Sequence, residues 1–317
     1  MHEVVCAGMV VADVFANPVA RLPNAGELVV TPGFLMSVGG GAANTAAALS
    51  ILGRKVAVAG RVGNDILGHF VVSELDRYGI DVEHIRRTTQ RATSCTVIMN
   101  VHGEDRRYLH SIGANADFSP ADMDVRLLDG ARCLYVGGYL AMPCFTPDDL
   151  TWLFRQAKLR GLMTVLDVVM ASDASFEIDH VAEALKYTDY FLPNEEEARL
   201  LTGQPTVRGQ AEAFSSLNPN CIVVITLGRQ GSFTMRRNDV IETRPFPMHT
   251  VDESGAGDAF AAGLITGLLN GWELEYSLSF AAAVGASRTR ALGCFESVFT
   301  FDEAVAFLGA RQAACSS

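Results

Sequence analysis

The sequence predicts an α/β protein with a mostly parallel central sheet flanked by helices and a small β lid beside it. Three observations carry this. Short, continuously apolar strand-like runs alternate with helical segments, the pattern of a parallel sheet covered on both faces. Two stretches, 27–38 and 93–112, break the alternation: they show polar alternation and no helix follows them. Finally, 317 residues, 49% apolar and 19% charged, hold enough apolar side chain for one large core.

In chain order, strands are expected at 3–8, 55–60, 133–137, 163–168, 190–192 and 221–227. Helices are expected at 44–52, 68–78, 147–160, 178–186, 195–201 and 258–269. Stretches 27–38 and 93–112 read as strands of a small antiparallel sheet. No linker, repeat or low-complexity tract divides the chain. The expectation is therefore one domain over 1–317, with a lid built from about 14–38 and 93–112.

Charge narrows the function classes. Lys+Arg number 25 and Asp+Glu 36, a net of −11. Such a chain is a poor binder of nucleic acid or of anionic membranes. No stretch reaches the ~20 apolar residues of a membrane span. The first residues carry Glu3 and Asp13 and lack a basic start, so they read as a buried strand rather than a signal peptide. Seven cysteines form no CxxC pair, and Cys6, Cys95, Cys133 and Cys221 fall in apolar runs. Buried free thiols in a reducing cytoplasm are expected.

The most informative segment runs from Val251 through Asp252, Glu253, Ser254, Gly255, Ala256 and Gly257 to Asp258, followed by an Ala-rich apolar helix. The glycines allow a tight turn that aims N–H groups at one point, and a helix start favours an anion there. Asp258, in the first helical turn, reads either as a capping carboxylate or as a general base beside an anion hole. A P-loop is absent: no GxxxxGK[ST] occurs, and the only lysines are Lys55, Lys158 and Lys186. The dinucleotide pattern GxGxxG fails at both glycine-rich sites, which removes most support for a dehydrogenase.

Taken together, the motifs resemble those of the ribokinase-like (PfkB-type) carbohydrate kinases. Gly39-Gly40-Gly41-Ala42-Ala43-Asn44 and Asp252-x-x-Gly255-Ala256-Gly257-Asp258 match the family's two signatures. Asn194-Glu195-Glu196-Glu197 matches its N-x-x-E element, and Thr226-Leu227-Gly228-Arg229-Gln230-Gly231 its nucleotide loop. One alone is weak; four in order across most of the chain are specific. The resemblance implies the fold already expected and transfer of the ATP γ-phosphate to a sugar-type hydroxyl. Asp258 would be the general base, with the amides of Gly255, Ala256 and Gly257 around the moving phosphoryl group. Asn194 and Glu197 would organise Mg²⁺ through water, which suits an ion that keeps several waters. Thr226, Gly228, Gly231, Asn194 and, on a late helix, Ala282 would border the nucleotide.

On the acceptor side the resemblance points to Asp13, Gly40 and Asn44, donors and acceptors suited to vicinal hydroxyls. Asp252, Ser254, Gly293 and Ser297 fall where family members hold K⁺. Glu253 departs from the usual pattern by adding a negative charge there. Gly113-Ala114-Asn115-Ala116 is similar to a ribokinase element, whereas Asp167-Val168-Val169-Met170 lacks a fructokinase one. Arg107 and His110 in the lid would suit an acidic sugar. The sugar stays open. A nucleoside kinase, for which Phe15, Phe34 and Tyr139 are candidate aromatics, and a catalytically weak sugar-sensing protein are the alternatives. Unpaired lid edges predict a homodimer.

Overall fold

The computed structural model describes residues 2–104, 106–170 and 175–315. In chain order it contains β1 (Val4–Gly8), β2 (Val11–Val19), β3 (Phe34–Gly39), α1 (Gly41–Ile51), β4 (Val56–Gly63), α2 (Ile66–Arg77), β5 (Ile85–Thr88), β6 (Cys95–Val101) and β7 (Arg107–Ser111). There follow β8 (Cys133–Tyr139), α3 (Pro147–Leu159), β9 (Met163–Val168), α4 (Asp179–Leu185), β10 (Tyr190–Phe191), α5 (Glu195–Thr202), α6 (Val207–Leu217) and β11 (Ile222–Thr226). The chain ends with β12 (Ser232–Arg236), β13 (Asp239–Thr243), α7 (Ala256–Leu269), α8 (Leu274–Arg288) and α9 (Phe301–Cys315).

The main sheet has the order β13-β12-β11-β10-β9-β8-β1-β4-β5. It is parallel from β5 to β11, and the β12–β13 hairpin adds an antiparallel edge. Strand periodicity divides its side chains between two cores. On β1, Val4 and Cys6 pack with α1, α7 and α8, and Val5 and Ala7 pack with α3–α6. This double burial is why the strands read as unbroken apolar runs. Among the described residues no helix is long and apolar enough to cross a membrane.

The second sheet, β3-β2-β6-β7, is built from the two segments that broke the pattern. It differs from the sequence reading in two ways. The sheet is mixed, because β2 and β6 run parallel while β3 and β7 flank them antiparallel. And 27–38 is not one strand: only Phe34 onward is extended in the sheet. Pro23 and Pro32 lack backbone donors, and Glu27 folds back to accept from Asn24 N and the Arg21 guanidinium. The sequence reading placed Ala282 on a late helix but gave no bounds for it, here α8, and did not anticipate α6, α9 or the β12–β13 hairpin. α8 is buried nearly all round, so it lacks the amphipathic period that marks a surface helix.

Candidate active site

Asp13 follows the first strand and lies on β2, two residues past its start. It is 7% exposed and faces Ser37 on β3 and Thr96 on β6. Gly39 permits this: a Cβ there would strike the Asp13 carboxylate. Asp13 Oδ2 accepts from the Cys294 thiol at 3.3 Å, and Oδ1 is buried without a partner. Burial pushes its pKa up to about 6, the nearby Thr96 hydroxyl and the Cys294 thiol oppose this, and Asp252 and Glu296 add to it.

The start of β2 is held from behind. Asn115 Nδ2 donates to Val10 O at 3.0 Å, and Val10 N donates to Asn115 Oδ1 at 3.2 Å. This fully buried amide, the Asn of the G-A-N-A element, clasps the β1–β2 junction.

Gly40 is the N-cap of α1, and Asn44 sits in the first turns of that helix. Asn44 is 5% exposed; its Nδ2 donates to Asp258 Oδ2 at 2.9 Å, and its Oδ1 has no partner. Asp258 occupies the first turn of α7, whose N-cap Gly255 adopts φ 74 and abuts Cys294 O where a Cβ would be. Burial pushes its carboxyl up to about 6. The Asn44 bond and Arg288 oppose the shift, and Asp13 adds to it. Of the three amides named above, Ala256 N donates to Glu253 O at 3.2 Å, closing the turn. Among the described residues no such bond engages the N–H of Gly255 or Gly257.

Thr226 ends β11 and bridges to Asn194, with Thr226 N donating to Pro193 O at 3.0 Å. The nucleotide-loop motif and the N-x-x-E motif are therefore neighbours. Arg229, between Gly228 and Gly231, pairs with Glu253 at 2.7 Å, which joins that loop to the turn before α7 and neutralises the unusual acid. A cleft of about 540 Å³ opens alongside, lined by Arg106, Arg229, Asp252, Glu253 and the β6–β7 turn.

Asn194 and Glu197 form a capping box: Glu197 N donates to Asn194 Oδ1 and Asn194 N to Glu197 Oε2, both at 2.9 Å. Burial, with Asp258 adding, pushes Glu197 up to about 7. Asp167, at the end of β9, is raised well above the carboxylate range by burial, then by Glu197 and Asp258. Asp258 thus acts on both Glu197 and Asp167, an acidic neighbourhood that suits a hard divalent cation held through water. Among the described residues no group of three His, Cys, Asp or Glu side chains is close enough to coordinate a metal directly.

Some residues do not join the cluster. Ala282 is buried in α8, in the apolar layer shared with α7. Arg107 pairs with Glu104, and His110 bonds Thr96 on an exposed strand. It is Arg106 that reaches inward, to Asp252 and Ser254. The sequence reading missed Arg106, Asp167, Arg288, Cys294 and Glu296. A carboxylate ending a buried parallel strand (Asp167) and an arginine closing an Ala-rich helix (Arg288) were the available signals.

Residues 1–299 match the family model described as pfkB family carbohydrate kinase. A ribokinase from Haemophilus influenzae is 29% identical over 307 residues, covering 94% of this chain and 97% of that one. A deoxyribokinase from Salmonella typhi is 29% identical over 245 residues, covering 76% of this chain and 77% of that one. The structure of Arabidopsis thaliana ribokinase complexed with ribose and ATP superposes with a TM-score of 0.81 at 24% identity, covering 97% of this chain and 98% of that one.

Proposed function

This chain belongs to the pfkB family of carbohydrate kinases and is an ATP-using kinase of sugar-type alcohols, and we propose that its acceptor is a neutral polyhydroxy sugar phosphorylated with Asp258 as base. The observation that carries this reading is a pair of orphaned acceptors. Asp13 Oδ1 and Asn44 Oδ1 are buried without partners, and Asn44 also donates to the Asp258 carboxylate. An unsatisfied buried acceptor costs about 1–3 kcal/mol, which sugar hydroxyls donating to both oxygens would recover. Asp252 and Glu296 push the Asp13 carboxyl up, and Asp13 does the same to Asp258, so the site disfavours an anionic sugar.

In this mechanism Asp13, Asn44 and the Gly40 turn orient the sugar. Asp258 takes the proton of the attacking hydroxyl as the new O–P bond forms and the bond to the ADP oxygen breaks. A base titrating near 6 is matched to neutral pH. The Gly255 and Gly257 amides, with Ala256 shaping the turn, offset charge on the moving phosphoryl group. Asn194, Thr226, Gly228 and Gly231 border the nucleotide phosphates and ribose, and Ala282 its base. Mg²⁺, held through water by Asn194 and Glu197, would neutralise phosphate charge.

The second sheet would act as the lid, and its exposed edge residues Phe34 and Leu109 as a homodimer contact. Six described cysteines are free, as a reducing cytoplasm would keep them. Two of the candidate aromatics for a nucleoside are committed elsewhere: Phe15 is in the core, and Tyr139 packs edge-on against Phe145. The test is a coupled ATP-consumption screen over pentoses, hexoses, keto-deoxy sugar acids and nucleosides, with Mg²⁺ and with Asp258→Asn alongside. A neutral sugar should be the best acceptor. A sugar acid or a nucleoside in that place would overturn the assignment.

A further inference from the structure

Of the four residues that the sequence resemblance assigns to a monovalent cation, Asp252, Ser254 and Ser297 have their side-chain oxygens occupied by the chain's own guanidinium groups. Arg288 closes α8 with its side chain fully buried. Its Nη1 donates to Ala291 O at 2.9 Å and to Ser297 Oγ at 3.3 Å, and its Nη2 to Asp252 Oδ2 at 3.4 Å. Ser297 Oγ in turn donates to Arg288 O at 2.6 Å. From the second sheet, Arg106 Nη1 donates to Asp252 Oδ1 at 3.0 Å and to Ser254 Oγ at 3.2 Å. Asp252 Oδ1 also accepts from Ser254 N and Oγ at 3.1 and 3.0 Å.

Asp252 is 3% exposed, and both its oxygens already face an arginine. The hydroxyls of Ser254 and Ser297 are likewise engaged. A K⁺ at these residues would have to displace a guanidinium or lie beside two positive charges in a poorly screened interior, with no free carboxylate oxygen to offset them. The residues present do not fit K⁺. An arginine, permanently charged and carrying five donors, supplies the same charge on a covalent tether.

We infer that Arg288 replaces the monovalent cation and, as a positioning residue, holds the Asp252–Ser254 turn that leads into Gly255–Asp258, so that the enzyme works without K⁺. Arg106 closes the other side of Asp252 from the second sheet. The inference rests on the proposed reading of this turn as the wall of the phosphoryl site.

The test uses the full chain exchanged into KCl or choline chloride of equal ionic strength. Melting temperature is read by calorimetry and AMP-PNP affinity by titration calorimetry, neither of which needs the acceptor. Wild-type Tm should be the same in both salts and Kd should agree within about twofold, because a ligand stabilises only by binding the folded state. A saturable, K⁺-specific rise in Tm, or a tightening of AMP-PNP beyond about fivefold, would overturn the inference. In Arg288→Ala the vacated position should make Tm rise with KCl and not with choline, and Arg288→Lys should abolish that response. A folded Arg288→Ala indifferent to K⁺ would also count against the replacement. If that variant does not fold, the wild-type comparison decides alone. Failure of wild type to bind AMP-PNP would instead sink the nucleotide assignment and leave the Tm comparison standing.

Discussion

Asn44 and Asp258 lie 214 positions apart in the chain, yet Asn44 Nδ2 donates to Asp258 Oδ2 at 2.9 Å. The bond joins the first turns of α1 and α7, so two helix starts converge on one carboxylate. It favours the ionised form and opposes the burial that pushes Asp258 up to about 6.

Removing the base while keeping its shape tests its role. Asp258→Asn should lower kcat by about 10²–10⁴-fold. AMP-PNP affinity should stay near wild type by calorimetry. Wild-type turnover in this variant would remove Asp258 from the chemistry.

Asn44→Ala should move the acid limb of the kcat profile. Asp258 acts when deprotonated, so the wild-type rate should climb as pH rises through about 6. Loss of the Asn44 bond raises that value, so the limb shifts to higher pH, and KM for the sugar rises as well. A purely structural role would lower the rate without moving the limb.

Asp13→Asn should stabilise the apo protein at pH 8 while weakening sugar binding. Asp13 has a folded value of about 6, raised from 3.8, so its ionisation opposes folding. The penalty is absent below the unfolded value, grows as pH rises between the two, and is complete above about 6. The variant should gain roughly 1–3 kcal/mol at pH 8, and the gain should vanish near pH 4, as read by urea unfolding at both.

Asn115→Ala should be among the costly single changes. It strips both hydrogen bonds from Val10 N and O in a fully buried position. Two orphaned backbone groups predict a loss of about 2–5 kcal/mol in chemical unfolding. KM for the sugar should rise too, because β2 begins at the next residue and carries Asp13.

Light scattering should give a mass near twice that of the chain. Phe34 and Leu109 are 67% and 63% exposed on the two edge strands of the second sheet. Leu109→Lys should yield the monomer by placing a charge on an edge. A monomeric wild type would refute the dimer.

Much of the architecture was legible because its signals are local. The runs at 163–168 and 147–160 became β9 and α3 with bounds shifted by a residue at most. Asp258 and Asn194 fell at helix starts, as their spacing indicated. Where the local signal was weak, the reading slipped. The all-round apolar α8 lacks a period, and the segment before Phe34 alternates like a strand but folds on its own side chains.

By itself the sequence determined the alternation of strands and helices, the two glycine-rich turns and the acids beside them. All of these follow from backbone preferences within a few residues. Tertiary structure decided who faces whom. Arg229 neutralises Glu253, Arg288 and Arg106 share Asp252, and Cys294 meets Asp13 across 281 positions. Nothing in residue type or spacing encodes such pairings. A charge's meaning depends on its desolvation and on the nearest opposite charge, and both are set only when distant segments pack.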